Sequence, residues 1–180
     1  MSSFIPRKII RRYISKLEGA AFGIADGIIC ILGLIFGVAI ATQNAWLIII
    51  AAVAGGVADA LGNSIGFFIS QSAERGVQIQ MRRDGRKVHV HTKLETVESA
   101  VFSFVATIIV LCVLVLPFVF LDINSALLAT SVIGMAVLFI LGTCIGGLAG
   151  EDRLGQALLF VALGAAGVTV GFLVGYLFKI

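Results

Sequence analysis

The sequence predicts an all-α membrane protein with five transmembrane helices, an N-terminal amphipathic helix and one short polar segment between the second and third spans. Three observations carry that reading. Of the 180 residues, 59% are hydrophobic and 13% charged, with a mean hydropathy of +1.11, and a soluble domain of this length needs far more polar surface. Five apolar runs reach the ~20 residues that a helix needs to cross a bilayer: about 22–42, 45–70, 98–121, 124–149 and 155–178. The cations fall at alternate connections and so on one side of the membrane, with only Lys179 on the other, a pattern that five spans explain. The whole chain, 1–180, then forms a single membrane domain, with 74–97 as its polar, cytoplasmic segment.

Before the first span lies PRKIIRRYISKLEG, in which Pro6 suits a first helical turn and Ile9, Ile10, Tyr13, Ile14 and Leu17 recur at helical spacing between cations. This pattern predicts an amphipathic helix on an anionic membrane surface. The apolar run that follows is too long for the core of a signal peptide, and no cleavage site is expected. Arg7, Lys8, Arg11, Arg12 and Lys16 precede span one, and Arg75, Arg82, Arg83, Arg86, Lys87 and Lys93 lie between spans two and three. Arg153 follows span four, and the opposite connections, ATQNA and LDIN, carry no Lys or Arg. The N-terminus is therefore expected in the cytoplasm and the C-terminus outside or in a lumen. The compact chain, without a targeting extension, points to a cell membrane. The same topology explains the basic balance without nucleic acid, since the cations flank spans and lack interleaved aromatics.

Span one carries a carboxylate, Asp26, and span two a second, Asp59. Each costs roughly 2.5–3.5 kcal/mol to insert near the centre of a span. No span contains an opposing Lys or Arg, so a proton or a bound cation must offset the burial. Gly55, Asp59, Asn63 and Gly66 share one face of span two, while Asp26 and Cys30 are one turn apart on span one. A carboxylate with a thiol beside it is a plausible first shell for Fe2+, Mn2+ or Zn2+; a small apolar packing role for Cys30 and structural hydrogen bonding for the two acids stay open beside it. Cys112 and Cys144 also fall within spans and show no paired spacing.

Glycines recur at spacings of four: Gly23 and Gly27, Gly33 and Gly37, Gly62 and Gly66, Gly142 and Gly146, Gly171 and Gly175. Such pairs bring membrane helices close together, within a bundle or across a dimer.

In the polar segment, Val77, Ile79 and Met81 alternate with polar residues before Asp84-Gly85, and Val88 and Val90 alternate after it. A two-residue turn there predicts a small β-hairpin, with Met81 opposite Val88 and Ile79 opposite Val90, although it sets Arg83 against Arg86 and Arg82 against Lys87. His89 and His91 would point the same way on its second strand, as metal ligands or as a solvated face. Glu95 and Glu98, where the chain re-enters a helix, and Glu74, where it leaves one, either collect cations at a cytoplasmic metal entrance or serve as partners of the helix dipole.

No P-loop, nucleophile elbow, HExxH or CxxC occurs, so the chain is not expected to be an enzyme, and no tightly bound cofactor is expected. Transport and a membrane scaffold remain. The segments GAAFGIADGIICILGLIFGVA and AGGVADALGNSIGFFISQSAE decide between them by resemblance. They are similar to the first and second spans of the vacuolar iron transporter family, whose signature is a glycine, a short gap, and Asp-Gly opening an apolar small-residue helix. The resemblance covers about residues 15 to 75. It implies a homodimer with a translocation path between the two first spans, carrying Fe2+ or Mn2+ out of the cytosol in exchange for protons, with Asp26 as a pathway ligand. The family's span-two methionine and glutamate fall on Gly62 and Ala54 here, and Asp59 and Asn63 supply the polarity instead; a harder ion such as Mn2+ suits an all-oxygen site better. The family's long, glutamate-rich helical domain is replaced by a short basic segment.

Overall fold

The computed structural model describes residues 7–179, with side chains from residue 16 onward. It has six helices: α1 Arg7–Thr42, α2 Ala45–Arg83, α3 Lys93–Val115, α4 Pro117–Phe120, α5 Ile123–Ala149 and α6 Arg153–Leu177. Five stretches are long and apolar enough to cross a membrane, α3 and α4 together making one of them. Pro117, which lacks the N–H that a continuous helix would use, marks the break between α3 and α4.

The bundle is built around α1, which packs against α2, α3, α5 and α6. Ile28, Ile31, Leu32, Ile35 and Ala39 of α1 form the centre of the core, together with Ile48 and Ala52 of α2, Leu111 and Leu114 of α3, and Leu138 of α5. The exposed faces of α2, α5 and α6 are lined by Leu, Ile, Val and Phe side chains, as a lipid-facing surface requires.

Polar residues at the connections cap the helices. Gln43, at φ 49°, turns the chain between α1 and α2, and the Asn44 side chain accepts hydrogen bonds from the N–H groups of Trp46 and Leu47. Asp122 and Asp152 cap α5 and α6 in the same way. Gly150, at φ 72°, closes α5.

One expectation changes, and another falls outside the described residues. The β-hairpin is not formed, and there is no strand among the described residues: Val77, Ile79 and Met81 lie on α2, which continues to Arg83. The reason is local. A helix already under way satisfies each backbone group at i−4 until a breaker arrives, whereas an isolated two-stranded hairpin is marginal and this one would oppose like charges. Asp84-Gly85 ends the helix instead of turning a hairpin. Gly85, at φ 80°, donates to the Arg82 carbonyl and Arg86 donates to that of Met81, a Schellman closure. Residues 86–92 then form no regular element, with the Val88 N–H donating to the Arg86 carbonyl in a tight turn, and lead to Thr92, the N-cap of α3. The expected amphipathic helix near the N-terminus falls within α1, which runs unbroken into the first span, but its side chains lie outside the described residues.

At 39 residues, α2 is about 58 Å long, so nearly half of it projects beyond a hydrocarbon core of about 30 Å. That projection, with the α2–α3 connection and the N-terminal part of α1, forms the basic end of the bundle.

Candidate functional site

The rotation of α1 about its axis decides what its polar residues face, and small residues set that rotation. Gly19, Gly23 and Gly27 form one ladder against Ser99, Ser103 and Thr107 of α3. A Cβ on Gly19 or Gly23 would collide with the carbonyl oxygen of Ser99 or Ser103, and one on Gly27 would lie 3.0 Å from the Thr107 methyl group. The Thr107 hydroxyl, buried in the contact, donates to the Gly23 and Ser103 carbonyls at 3.0 Å each. A second ladder joins α1 to α6, with Gly33 and Gly37 packed on the backbone of Gly167, Gly171 and Gly175. Gly142 and Gly146 pack in turn against the start of α6, whereas Gly62 and Gly66 have open space beside them. Gly23, Gly27, Gly33 and Gly37 thus all make close helix contacts within the chain.

With those faces turned toward α3 and α6, the face carrying Glu18, Phe22, Asp26 and Cys30 is left toward α2. Opposite it, α2 presents Asp59, Asn63 and Phe67 at the same four-residue spacing. The Cys30 thiol and the Asp59 carboxylate face each other across the seam, and Asp26 lies within electrostatic reach of both. The Asn63 amide nitrogen donates to Asp59 Oδ2 at 3.1 Å, which leaves the Asn63 carbonyl oxygen as a further donor atom. Among the described residues no salt bridge reaches either aspartate. The structure therefore brings together Asp26, Cys30, Asp59 and Asn63: two carboxylates, an amide and a thiol, from two helices, with no fixed cation among them. Such a set attracts a divalent cation or holds a proton.

The cluster is bounded along the seam. Toward the basic end, the Phe22 and Phe67 rings meet with centroids 5.4 Å apart. In the other direction, the Leu34 side chain occupies the space over Gly55. Beside Cys30, an apolar groove of about 800 Å³ opens between α1 and α6, floored by Gly33, Gly37 and Gly167.

The remaining predicted residues gather at the basic end, about four turns of α2 beyond Asp59. Glu98 pairs with Lys16 at 3.6 Å, and Lys16 also lies over the Phe102 ring. His91 Nε2 is 3.8 Å from Glu74 Oε1, and His89 Nε2 is 4.0 Å from Glu95 Oε2. Glu18 lies in the electrostatic field of both His91 and Glu74. Two groups, one in each half of the seam, thus hold the nine polar candidates: Asp26, Cys30, Asp59 and Asn63 in one, and Glu74, His89, His91, Glu95 and Glu98 in the other.

Sequence reasoning missed Glu18, Phe22 and Phe67, although the spacing 18, 22, 26, 30 was there to read. It also missed Arg75 and Gln78, which hold the His91 backbone from α2; a hairpin assignment for residues 77–91 removes them from reach.

A model of the VIT family matches residues 17–95, a span that includes every residue of both groups except Glu98. Over 158 residues the chain is 32% identical to a Methanocaldococcus jannaschii protein known only as uncharacterised protein MJ0645, with 82% of each chain covered.

Proposed function

The chain belongs to the VIT family, a family of membrane metal-ion transporters, and from that premise we propose that it exports Fe2+ or Mn2+ from the cytosol in exchange for protons. The observation that carries the reading is the meeting of Asp26 and Asp59 across the α1–α2 seam with no cationic side chain paired to either among the described residues. Burying two carboxylates this way is costly unless their charge is used. A divalent ion bound by Asp26, Asp59 and Asn63 neutralises both, and so do two protons; alternation between those occupants is the exchange an antiporter performs. Cys30 adds a sulfur donor, which suits Fe2+, while the oxygen donors suit Mn2+.

The multi-pass membrane protein lies with its basic end in the cytoplasm, following the distribution of Lys and Arg. Glu74, Glu95, Glu98, His89 and His91 then stand at the cytoplasmic entrance. The Phe22–Phe67 pair separates that entrance from the intramembrane ligands and acts as the inner barrier. A second copy of the chain occupies the open side of α1, along the groove beginning at Cys30, so that the two first spans share one path. A scaffold role has less support: the glycines offered for assembly make contacts within the chain, and the docking hairpin is absent.

Purified protein in liposomes tests the reading. Uptake of Mn2+ and Fe2+ is measured with and without a pH gradient, for the wild type and for Asp26→Asn and Asp59→Asn. Uptake that needs both the gradient and the two carboxylates is expected. No uptake of either ion by folded wild-type protein, or undiminished uptake by both variants, overturns it.

A further inference from the structure

At the basic end, the α2–α3 connection brings together side chains that the sequence leaves apart. His89 and His91 lie on the irregular segment before α3 and Glu95 in the first turn of α3, yet a ligand atom from each falls within 4.8 Å of the other two. We infer that His89, His91 and Glu95 form a binding site for a borderline divalent cation of the Zn2+, Co2+ or Fe2+ class, with Glu74, 3.8 Å from His91 Nε2, as a further donor. The inference rests on the transport reading only for the site's place on the route; binding stands or falls separately.

Backbone contacts on several sides hold the cluster in place. Gln78 Oε1 accepts the His91 N–H at 2.8 Å, and Arg75 Nε donates to the His91 carbonyl at 2.9 Å. Both come from the projecting part of α2, so that helix holds the backbone of one ligand directly. Glu95 is the third residue of a capping box: its Oε2 accepts the Thr92 N–H at 2.8 Å while its own N–H donates to the Thr92 hydroxyl at 3.1 Å. Its side chain is only 7% exposed. Gln78 also donates to Glu74 Oε1 at 2.9 Å, holding the additional carboxylate 3.8 Å from His91 Nε2. Ligands whose backbones and side chains are fixed by neighbouring hydrogen bonds are what a metal site requires.

Two features go beyond ordinary ion pairing. His91 Nδ1 is shielded from solvent and has no hydrogen-bond partner among the described residues, and a buried polar atom left so is costly unless something binds it. The two imidazoles also stand edge to face with centroids 5.5 Å apart, on the same side of the segment as Glu95. Donors of a tetrahedral site with bonds of about 2.0–2.1 Å stand about 3.4 Å apart. The 4.0 Å between His89 Nε2 and Glu95 Oε2 closes to that with a small side-chain rotation.

The ligand chemistry sets this site apart from the intramembrane one. Two imidazoles favour Zn2+, Co2+ and Fe2+ over Mn2+, following the general order of divalent affinities, whereas carboxylate and amide oxygens accept Mn2+ readily.

Full-length protein in detergent, stripped with chelator, is titrated with Co2+ while its visible ligand-field bands are followed, and Zn2+ and Mn2+ are then added as competitors. One Co2+ per chain is expected to give bands of nitrogen and oxygen ligation, displaced by Zn2+ and poorly by Mn2+, and Co2+ taken up by the intramembrane donors adds none of these nitrogen-ligated bands. His91→Ala and His89→Ala should each weaken Co2+ binding by at least the roughly 10- to 100-fold that loss of even a supporting partner costs. Glu95→Gln should do the same while keeping the cap, because Gln also completes a capping box. Asp122→Asn, in the cap of α5 and outside both groups, should leave the bands unchanged. His89 and Glu95→Gln decide the matter if His91→Ala does not yield folded protein. Absence of the bands in folded wild-type protein, unchanged binding in His89→Ala and Glu95→Gln, or an equal loss in Asp122→Asn overturns the assignment. Liposome uptake separates the two readings: a retained Co2+ signal without uptake sinks transport and leaves this site standing, and uptake without the signal does the reverse.

Discussion

Replacing Gly23 by alanine tests whether the α1–α3 ladder sets the direction in which Asp26 points. The added Cβ would collide with the Ser103 carbonyl oxygen and lie 2.9 Å from both the Ser103 carbonyl carbon and Thr107 Oγ1. Two of the three obstacles are backbone, so the helices must separate. Overpacking of that kind costs about 1–3 kcal/mol, and separation also weakens the hydrogen bond from Thr107 to the Gly23 carbonyl, worth about 0.6 kcal/mol in a membrane interior. Alanine returns about 1 kcal/mol through its better helix propensity. The net is a loss of about 1–3 kcal/mol. Gly62→Ala is the matched control, since nothing lies within 4 Å of a Cβ there, and it should be neutral or up to about 1 kcal/mol stabilising. Reversible unfolding of the detergent-solubilised protein, followed by helical circular dichroism, measures both. Equal stability of the two variants would refute the close-contact argument, and with it the account of how α1 is oriented. Liposome uptake by Gly23→Ala should also fall, because a rotated α1 carries Asp26 away from Asp59.

Phe22→Ala removes one ring of the aromatic pair that closes the seam toward the basic end. It should raise the passive dissipation of a pH gradient across liposomes, and a leak no greater than wild type would remove the pair as a barrier. At the opposite end, hydrogen bonds from the Ser125 side chain and backbone N–H hold the Asp122 carboxyl below its ordinary range. A group whose folded value is depressed contributes stability that is present above its unfolded value, near 3.8, and lost as pH falls through the folded one. Thermal stability should therefore decline below about pH 4, and Asp122→Asn, which caps without titrating, should flatten that part of the profile. An identical decline in the variant would assign it to other groups.

The five spans, the positions of the two intramembrane acids and the family were legible in the sequence, because each depends on local chemistry. Apolar length decides whether a segment enters a bilayer, and an aspartate costs the same insertion free energy wherever its partner lies. Residues 77–83 were misread for the opposite reason. Their alternation fits a strand, but the helix arriving from span two continues until Gly85 lets the backbone turn, and only tertiary structure shows how far it runs. That continuation carries Arg75 and Gln78 to the His91 backbone and makes a third ligand, Glu95, available to two histidines that the sequence left without one. Likewise, glycine spacing announced close helix contacts without naming their partners. Gly23 and Gly27 proved to meet α3, and Gly33 and Gly37 to meet α6, because which ladder fits which helix depends on side-chain shape across the bundle. That choice of partners turns Asp26 and Cys30 toward Asp59, and so decides that two acids far apart in the sequence meet across one seam.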